Sequence, residues 1–301
     1  MKKIIILLSI IFLTIILLNP TEIINSVTFS FNICIKNLFP SLFPFLIISN
    51  ILTNYGFIEI CFKFSKRIMP KLFKVNPSGS YVLIMSMLSG SPSNAKYINQ
   101  LMDNNYINKE EASKLLKCTH FVNPLFIIST IGITFLNNKN LGIIILISHY
   151  LGNFINAFVW NKEIKKNTNI KFNTDNNKKF MTILTNSISD TINTLMLILG
   201  VITTCLIITT IINHILHLNP LFYGLLEITQ GVKYISMSNI SEFLKVIIMT
   251  FIISFGGFSI HMQVMSILEK KEIRYLPYLK ARLLHAIFSS VSAIILYIII
   301  I

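Results

Sequence analysis

The chain has 301 residues, of which 53% are hydrophobic and only 13% are charged, whereas about 25% of the residues of an average soluble protein are charged. Its mean hydropathy of +0.69 is typical of a membrane-embedded chain. Lysine and arginine number 26 against 12 aspartates and glutamates, a formal net charge of +14. In so apolar a chain this excess indicates loops held on the cytoplasmic side of a membrane. The composition argues against a soluble enzyme, a nucleic-acid-binding module and a disordered tail.

Six stretches without Asp, Glu, Lys or Arg approach or reach the roughly 20 apolar residues that a helix needs to span a bilayer. They are 75–95, 118–136, 140–160, 195–212, 246–268 and 283–301. Whether 118–136 spans or is re-entrant stays open. Residues 4–18 follow two lysines, as in a signal peptide, but no small-residue cleavage site comes after them. We interpret 4–18 as a retained first helix and the whole chain, 1–301, as one all-α, polytopic membrane domain.

Two further apolar segments, 37–58 and 215–232, are interrupted. The interruptions are Pro40 and Pro44 in the first segment and Pro220, Gly224 and Glu227 in the second. Proline and glycine at membrane depth free backbone groups that lipid cannot satisfy, so such segments lie inside a bundle or line a watery cavity. We predict a re-entrant hairpin at each segment.

Three loops carry an excess of lysine and arginine and are predicted to be cytoplasmic. They are 59–77, 161–179 and 269–282. The loop 103–117 balances its lysines with acidic residues and is predicted to lie on the opposite side. Residues 162–179 are then a basic cytoplasmic linker between a first half, 22–161, and a second half, 180–301.

The two halves contain a weak internal repeat, in which residues 90–103 align with residues 256–269. The matched residues include Gly90 with Gly256, Ser93 with Ser259, and Asp103 with Glu269. In each copy an apolar helix is broken by small residues and followed by a charged loop. Because the charge rule places these two loops on opposite faces, we predict an inverted repeat with scaffold helices at 22–36 and 180–213. Corresponding interrupted segments in inverted halves point to a transporter's substrate site; a chance match between two glycine-containing helices is the alternative.

Glu227 is the most conspicuous polar residue, because it is the only acid in an 18-residue apolar window. A charge at bilayer depth costs a few kcal/mol or more. Gln230 and Gly231 follow it at the spacing of one helical face. We interpret Glu227 as a ligand of a substrate or coupling ion, or as a carboxyl held protonated. A glutamate that snorkels from the end of a hairpin is the alternative.

Two polar breaks, 89–96 and 254–263, are the other candidates. A break exposes the first N–H groups of the following half-helix, whose partial positive charge favours an anion, and Lys96 adds a full positive charge. A kink made only for packing is the alternative. The residues predicted to bind substrate are Ser89, Gly90, Ser91, Ser93, Asn94, Lys96, Asn123, Glu227, Gln230, Gly256, Gly257, Ser259, His261 and Gln263.

Asp190 heads a polar stripe with Asn186, Asn193 and Thr194 on one helix, which either lines a pathway or holds helices together. The histidines lack paired i, i+4 spacing within one helix, and the four cysteines stand alone, so no metal site is predicted. No nucleophile-and-base set and no phosphate loop occurs. We therefore predict neither an enzyme nor a cofactor.

At these motifs the sequence resembles the YlbJ-type sporulation integral membrane proteins, which belong to the nucleoside-recognition, or Gate, domain group. The stretches that carry the resemblance are 42–49, 89–96 with 123–128, 226–231 and 255–264. Ser91 and Asn94 depart from the usual Tyr and Gly of the family, and residues 119–122 replace a run richer in Asn and Gly. These departures fall in the predicted site and concern the substrate more than the fold.

The resemblance implies a fold similar to that of the concentrative nucleoside transporters, with two hairpins and two unwound helices meeting at mid-membrane. It also implies a role in endospore formation, in the outer forespore membrane facing the mother cell. Family members are associated there with moving dipicolinate, a small planar dianion, towards the forespore. Glu227 would repel a dianion unless it is protonated or paired with a cation.

Two other functions stay open, a nucleoside-type solute carrier and a non-transporting assembly protein of the spore envelope. The expected partners are a small anion, with dipicolinate first, and the lipid bilayer. No nucleic acid is expected, and the sequence leaves open whether copies of the chain form a homo-oligomer.

Overall fold

The computed structural model describes residues 2–162, 164, 179–216 and 219–301, and over these residues the chain is all-helical without a β-strand. The α-helices are α1 (Lys2–Leu18), α2 (Pro20–Ile33), α3 (Phe39–Asn54), α4 (Phe57–Ser65), α5 (Ile68–Leu72), α6 (Gly79–Ser89), α7 (Ser93–Asp103), α8 (Lys109–Cys118), α9 (Lys139–Val159), α10 (Phe180–Leu216), α11 (Pro220–Leu226), α12 (Ile228–Met237), α13 (Glu242–Phe255), α14 (Gly257–Ile267) and α15 (Tyr275–Ile300). Two wider π-helices are π1 (Cys34–Leu38) and π2 (Phe126–Phe135), and a short 3₁₀ turn covers Glu269–Lys271.

Five helical stretches of the described residues are long and apolar enough to cross a membrane. They are Pro20–Asn54, Lys139–Val159, Phe180–Asn213, Glu242–Ile267 and Tyr275–Ile300. The predicted all-α membrane architecture is therefore confirmed at this level, as is the helix predicted over 180–213. The predicted linker 162–179 lies almost wholly outside the described residues.

The predicted hairpin at 37–58 is wrong, because α2, π1 and α3 form one continuous helical stretch from Pro20 to Asn54. Pro40 occupies the first turn of α3, directly after the wider turn of π1. Because helix precedes Pro40 without a gap, the missing N–H of this proline leaves a gap in the hydrogen-bond ladder, and a wider π turn is a usual place for such an irregularity. Pro44 lies inside α3. The chain reverses only at Gly56, whose φ of +81° is readily adopted by glycine.

This long helix packs antiparallel to α10, and the two form a scaffold. The hydroxyl of Ser26 lies 2.6 Å from that of Thr210, and the hydroxyl of Ser30 lies 2.7 Å from that of Thr203. Hydroxyl pairs of this kind join helices where lipid offers no partner. Pro20 and the end of α10 are thus on one face of the membrane, and Asn54 and the start of α10 on the other.

Helices α6 and α7 are the two arms of a hairpin and not one broken helix. Ser78, just before α6, donates a hydrogen bond of 3.4 Å to the carbonyl of Tyr106, just after α7. Along the arms, the rings of Tyr81 and Tyr97 are 5.4 Å apart. The chain turns at Gly90, whose φ is +80°, and both arms return to the same face. We call residues 79–103 hairpin 1; the stretch 75–95 accordingly does not span the membrane.

The first broken helix follows hairpin 1 and covers 109–135. Helix α8 ends at Cys118, residues 119–123 have no helical structure, and π2 begins at Phe126. The second broken helix covers 242–267, where α13 and α14 meet at Gly256. The segment 118–136 is therefore an unwound stretch followed by a short helix, which continues the crossing begun by α8.

The hairpin predicted over 215–232 is found over 220–237, and we call it hairpin 2. Its arms, α11 and α12, meet at Glu227. They pack so closely that a Cβ atom on Gly231 would lie 2.1 Å from the Cα of Gly224. Two glycines facing each other are the local reason that this pair of short helices can fold back on itself.

The prediction that loop 103–117 lies opposite loop 269–282 is wrong. Lys109 forms a 3.1 Å ion pair with Glu272, and Lys271 contacts the carboxylate of Asp103. Lys114 also donates a 2.6 Å hydrogen bond to the carbonyl of Lys162. We call this side, with loops 59–77, 103–117 and 269–282, the basic face. Because both loops lie on it, the alignment of 90–103 with 256–269 does not relate inverted copies: the chain already reverses at Gly90.

Candidate functional site

The apices of both hairpins and the breaks of both broken helices surround one cavity of about 60 Å³, which is room for a few water molecules. Its polar lining residues are Ser91, Asn123, Glu227, Thr229, Ser259 and Gln263. Its other lining residues are Leu38, Leu42, Pro92, Val122, Phe126, Ile198, Ile202, Ile228 and Ile260. The scaffold thus supplies only aliphatic side chains, and the hairpins and broken helices supply every polar one.

The apex of hairpin 1 docks on the unwound segment of the first broken helix. The N–H of Ser91 donates a 2.6 Å hydrogen bond to the carbonyl of Phe121, and the Ser91 hydroxyl lies 3.0 Å from Nδ1 of His120. A Cβ atom on Gly90 would lie 2.6 Å from the backbone nitrogen of Asn123. Only glycine allows this approach, so the family's Ser-Gly pair has a packing reason here.

Asn123 ties three elements together with one side chain. Its Nδ2 donates to the carbonyls of Ser41 in the scaffold and Leu88 in hairpin 1, at 3.1 and 3.0 Å. Its Oδ1 accepts from the N–H groups of Leu125 and Phe126 at the start of π2, at 2.8 and 3.2 Å. The amide therefore satisfies backbone groups that the break and the neighbouring helices leave free.

A polar face of α9 satisfies other backbone groups of the unwound segment. Asn153 donates a 3.0 Å hydrogen bond to the carbonyl of Cys118 at the end of α8. Nε2 of His149 accepts from the N–H of Val122 at 3.0 Å, so its Nδ1 is the donor in the 2.8 Å bond to the hydroxyl of Ser254 on α13. This neutral tautomer follows from the partner at each ring nitrogen.

Arg282 of α15 is wholly buried beside this face. Its guanidinium donates to the carbonyl of Lys117, which Asn156 also binds at 2.9 Å, and to Nδ1 of His285 at 3.0 Å. His285 in turn donates from Nε2 to the carbonyl of His149 at 2.9 Å. Cations are favourable at helix C-termini, where carbonyls point outwards. Arg282 therefore holds the end of α8 against the return helix α15.

Glu227 is 2% exposed, which rules out the snorkelling interpretation. Its Oε2 accepts from the N–H of Gln230 at 2.8 Å and from the hydroxyl of Thr229 at 2.5 Å, so Glu227 is the N-cap of α12. A carboxylate at a helix N-terminus is favoured by the unpaired N–H groups and the helix dipole. Oε1 is then the oxygen that a solute or ion in the cavity would meet.

The break at Gly256 and Gly257 brings the second broken helix against both halves. Their φ angles are +95° and +56°. A Cβ atom on Gly256 would lie 2.7 Å from the ring of His120, and one on Gly257 would lie 3.3 Å from the carbonyl of Gly224. Both positions combine a left-handed backbone with a close neighbour, which explains the glycine pair.

Ser259 and Gln263 lie one turn apart on α14 and line the cavity. Their side chains are 1% exposed. Oγ of Ser259 and Oε1 of Gln263 have no hydrogen-bond partner among the described residues. Buried polar atoms are normally paired, so these two are the groups in the cavity wall with free capacity for a solute.

Five of the predicted site residues line the cavity, and nine do not. The five are Ser91, Asn123, Glu227, Ser259 and Gln263; the nine are Ser89, Gly90, Ser93, Asn94, Lys96, Gln230, Gly256, Gly257 and His261. Whether any of them binds a solute stays a prediction.

Two of the nine have clear structural partners. The hydroxyl of Ser89 bonds to the carbonyl of Met85 at 2.8 Å and lies 2.9 Å from that of Tyr97. His261 donates to the carbonyl of Phe255 at 2.9 Å and lies 3.0 Å from the hydroxyl of Tyr275. Ser89 thus ties the two arms of hairpin 1 together. His261 joins α14 to the end of α13 and to the start of α15.

Two others belong to separate clefts. Lys96 shares an open cleft with Asp190 of α10. The side chain of Gln230 turns away from Glu227 to Tyr234, with Nε2 and the hydroxyl 3.3 Å apart, so the predicted common helical face of Glu227 and Gln230 is wrong. Among the described residues, the cavity lining therefore holds one acid and neither lysine nor arginine.

The sequence interpretation missed Thr229 and the supporting roles of His149 and Arg282. A signal for the α9 face existed: His149, Asn153 and Asn156 follow i, i+4, i+7 spacing, which marks one polar face of an otherwise apolar helix. Such a face, buried in a membrane bundle, indicates backbone groups elsewhere that need partners.

A curated relative carries the same pattern over most of its length. The sporulation integral membrane protein YlbJ of Bacillus subtilis (strain 168) is 29% identical over an alignment of 304 residues, covering 86% of this chain and 74% of the relative. This similarity supports the resemblance to the YlbJ-type family. The chain is an integral membrane protein related to a sporulation protein. No family model and no solved structure matches the chain.

The stretches that carry the YlbJ-type resemblance meet at the cavity. Residues 42–49 begin with a lining leucine of the scaffold, 89–96 form the apex of hairpin 1, 226–231 form the apex of hairpin 2, and 255–264 hold the second break. Of the two departures from the family pattern, Ser91 lines the cavity and Asn94 is buried beside it.

Proposed function

We propose that this YlbJ-type protein is a carrier that moves a small solute across a membrane of a spore-forming cell, with the central cavity as the solute site. The observation that carries the proposal is the convergence of two hairpin apices and two helix breaks on a cavity with unpartnered polar groups. Unpaired polar groups and irregular backbone at membrane depth are costly unless they line a pathway.

The order of elements supports two inverted halves, but it aligns different residues from those that the sequence prediction matched. Scaffold, hairpin, broken helix and return helix are 20–54, 79–103, 109–135 and 139–159 in the first half, and 180–216, 220–237, 242–267 and 275–300 in the second. Hairpin 1 opens to the basic face and hairpin 2 to the opposite face. Just beyond each apex, residues 93–95 (Ser-Asn-Ala) then correspond to residues 229–231 (Thr-Gln-Gly). On this basis we propose inverted halves, the arrangement expected of a fold similar to the concentrative nucleoside transporters.

Dipicolinate, which the family resemblance implies, is the solute we propose first, together with a site in the outer forespore membrane. The geometry sets a condition on this substrate. Among the described residues, Glu227 lines the cavity and no lysine or arginine does, and the N-terminus of α12 is already capped by Glu227. A dianion there needs a cation beside it or a proton on Glu227.

A neutral nucleoside-type solute is the second candidate, and the lining favours it in one respect. Hydroxyl, amide and carboxylate groups of Ser259, Gln263 and Glu227 suit a neutral solute with several hydroxyl and amine groups. Such a solute meets no repulsion from Glu227.

Uptake by proteoliposomes tests both candidates. We expect labelled dipicolinate to enter vesicles that contain the protein, and to enter faster when a divalent cation is present. Uridine is the comparison solute. Gln263→Leu, in the cavity wall, should lower uptake by about tenfold, the effect of losing one buried hydrogen bond. Gln100→Leu, on α7 and outside the cavity lining, is the matched control.

Uptake of uridine alone would show that dipicolinate is not the substrate, and the proposed carrier function would stand. Uptake of neither solute above that of empty vesicles would contradict the carrier and favour an assembly role. Equal uptake by Gln263→Leu and Gln100→Leu would contradict the proposal that the cavity is the solute site.

A further inference from the structure

Two open clefts flank the central cavity, and each holds one lysine. The first, of about 310 Å³, is lined by Lys96, Asp190, Asn193, Thr194, Leu197 and Ile267. The second, of about 210 Å³, is lined by Asn25, Ser26, Phe29, Gln230, Lys233 and Tyr234. We call them the Lys96 cleft and the Lys233 cleft.

The two clefts are built in the same way from opposite halves. The Lys96 cleft lies between α7, the second arm of hairpin 1, and α10, the scaffold helix of the second half. The Lys233 cleft lies between α12, the second arm of hairpin 2, and α2, the scaffold helix of the first half. Each is thus a gap between a hairpin and the scaffold helix that does not belong to its own half.

The clefts lie on opposite sides of the bundle, each nearer to a different face of the membrane. Ile267 ends α14 next to the loop at 269–282, so the Lys96 cleft is on the side of the basic face. Ser26 pairs with Thr210, near the far end of α10, so the Lys233 cleft is on the opposite side.

In each half, residues that line the cleft and residues that line the cavity are next to each other on one helix. On α10, Leu197 lines the Lys96 cleft and the next residue, Ile198, lines the cavity. On α12, Thr229 lines the cavity and the next residue, Gln230, lines the Lys233 cleft. A small rotation or shift of a hairpin arm would join a cleft to the cavity.

The lysines are poorly paired for their positions. Nζ of Lys96 is buried without a hydrogen-bond partner among the described residues, although Asp190 lies across the same cleft. Nζ of Lys233 lies 4.5 Å from the ring centre of Phe29 and forms no ion pair with an acidic side chain in the part of the chain that the structure describes. An ammonium group at membrane depth is costly unless an anion or water reaches it.

We infer that the two clefts are the access ports of the carrier, one for each face, and that Lys96 and Lys233 each hold a small carboxylate on its way to the cavity. This inference rests on the proposed carrier function and gives it an anionic substrate class. It also accounts for where the described charged side chains lie: a lysine lines each port, beside Asp190 in the Lys96 cleft, and the cavity lining holds Glu227.

Thiol labelling in vesicles of known orientation tests the ports without requiring transport. Single cysteines replace Asn193 in the Lys96 cleft and Asn25 in the Lys233 cleft, in a variant without the four buried native cysteines. Two impermeant methanethiosulfonates are compared, one with a sulfonate and one with a trimethylammonium group. We expect Asn193→Cys to react only from the basic face and Asn25→Cys only from the other face, whereas Met196→Cys, on the apolar surface of α10, stays unreactive.

The charge of each port is tested by the ratio of the two reaction rates. Adding Lys96→Gln to Asn193→Cys should lower the anionic-to-cationic ratio by about threefold or more, the scale of one unit charge acting over several ångström at a wet mouth. Lys280→Gln, an exposed lysine on α15, is the control. Lys233→Gln should do the same for Asn25→Cys, with the exposed Lys139→Gln as its control.

Reaction of both cysteines from one face, or no reaction, would overturn the ports. An unchanged rate ratio in Lys96→Gln and Lys233→Gln would overturn the inference that these lysines hold a carboxylate. Because labelling needs no flux, the expected labelling without uptake of dipicolinate or uridine would instead overturn the proposed carrier function.

Discussion

The imidazole of His120 lies directly against the backbone of Gly256. A Cβ atom at position 256 would lie 2.7 Å from Cε1 and 2.9 Å from Nε2 of this ring. Since His120 belongs to the unwound segment of the first broken helix, the breaks of the two halves touch each other. Its Nδ1 lies 3.0 Å from the hydroxyl of Ser91, so the apex of hairpin 1 meets the same ring.

This contact predicts that Gly256→Ala destabilises the protein. The methyl group would clash with His120, and a non-glycine residue is strained at a φ of +95°. We expect a loss of about 1–3 kcal/mol, measured as a lower melting temperature in detergent. Gly200→Ala is the control, because a Cβ atom on Gly200 meets nothing within 4 Å. Equal melting temperatures for the two variants would contradict the contact.

The ion pairs on the basic face predict a membrane topology. Cysteines introduced at Asn104 and Lys270 should be labelled by an impermeant thiol reagent from the same side, and cysteines at Lys139 and Asn239 from the other side. The helix α9, with 21 residues, separates these two sides by about 31 Å at the usual rise per residue.

A cross-link provides an independent check of the same topology. The ends of the Asp103 and Lys271 side chains are in contact, so a double cysteine variant at these positions should be joined by a short bifunctional thiol cross-linker that replaces the length of the two side chains. Lys271→Cys combined with Lys139→Cys should not. Labelling of Asn104→Cys and Lys270→Cys from opposite sides would restore the alignment of 90–103 with 256–269.

The hairpin and the helix break of the second half could be predicted well from the sequence, because each depends on residues within the segment itself. Glu227 is an isolated acid between two glycines that let the arms pack, and Gly256 stands inside a run long enough to span. These features predicted a hairpin and a break, and both are present with slightly different bounds.

The first half could not be predicted correctly because its proline and glycine signals have several structural outcomes. Pro40 lies at the start of α3 without ending the helical stretch. At Gly90 the chain reverses, where a helix break was predicted. What separates a hairpin apex from a break is the long-range partner, here the carbonyl of Phe121 for the N–H of Ser91. The charge rule also failed at loop 103–117, where Asp103 pairs with Lys271 and Lys109 pairs with Glu272 of the loop on the same face.

Asn123 predicts a second stability effect. Asn123→Ala would leave the buried carbonyls of Ser41 and Leu88 without this donor and remove the cap of π2. Since each unsatisfied buried group costs about 1–3 kcal/mol, we expect a loss of about 2–4 kcal/mol in stability. Asn99→Ala, on the exposed side of α7, is the control and should change the melting temperature little. A small effect at both positions would mean that water replaces the Asn123 amide.

Glu227 predicts separate effects on stability and on transport. Glu227→Gln keeps an oxygen that can accept from the N–H of Gln230, so its melting temperature should stay close to that of the natural protein, whereas Glu227→Ala should lose about 1 kcal/mol with the N-cap. If a cation beside Glu227 neutralises an entering dianion, Glu227→Gln should lower dipicolinate uptake by about tenfold or more and make it insensitive to added divalent cation. Glu242→Gln, on the exposed first turn of α13, is the matched control. Unchanged uptake with an unchanged cation dependence would reduce Glu227 to a helix cap, and increased uptake would mean that the dianion enters the cavity without a cation.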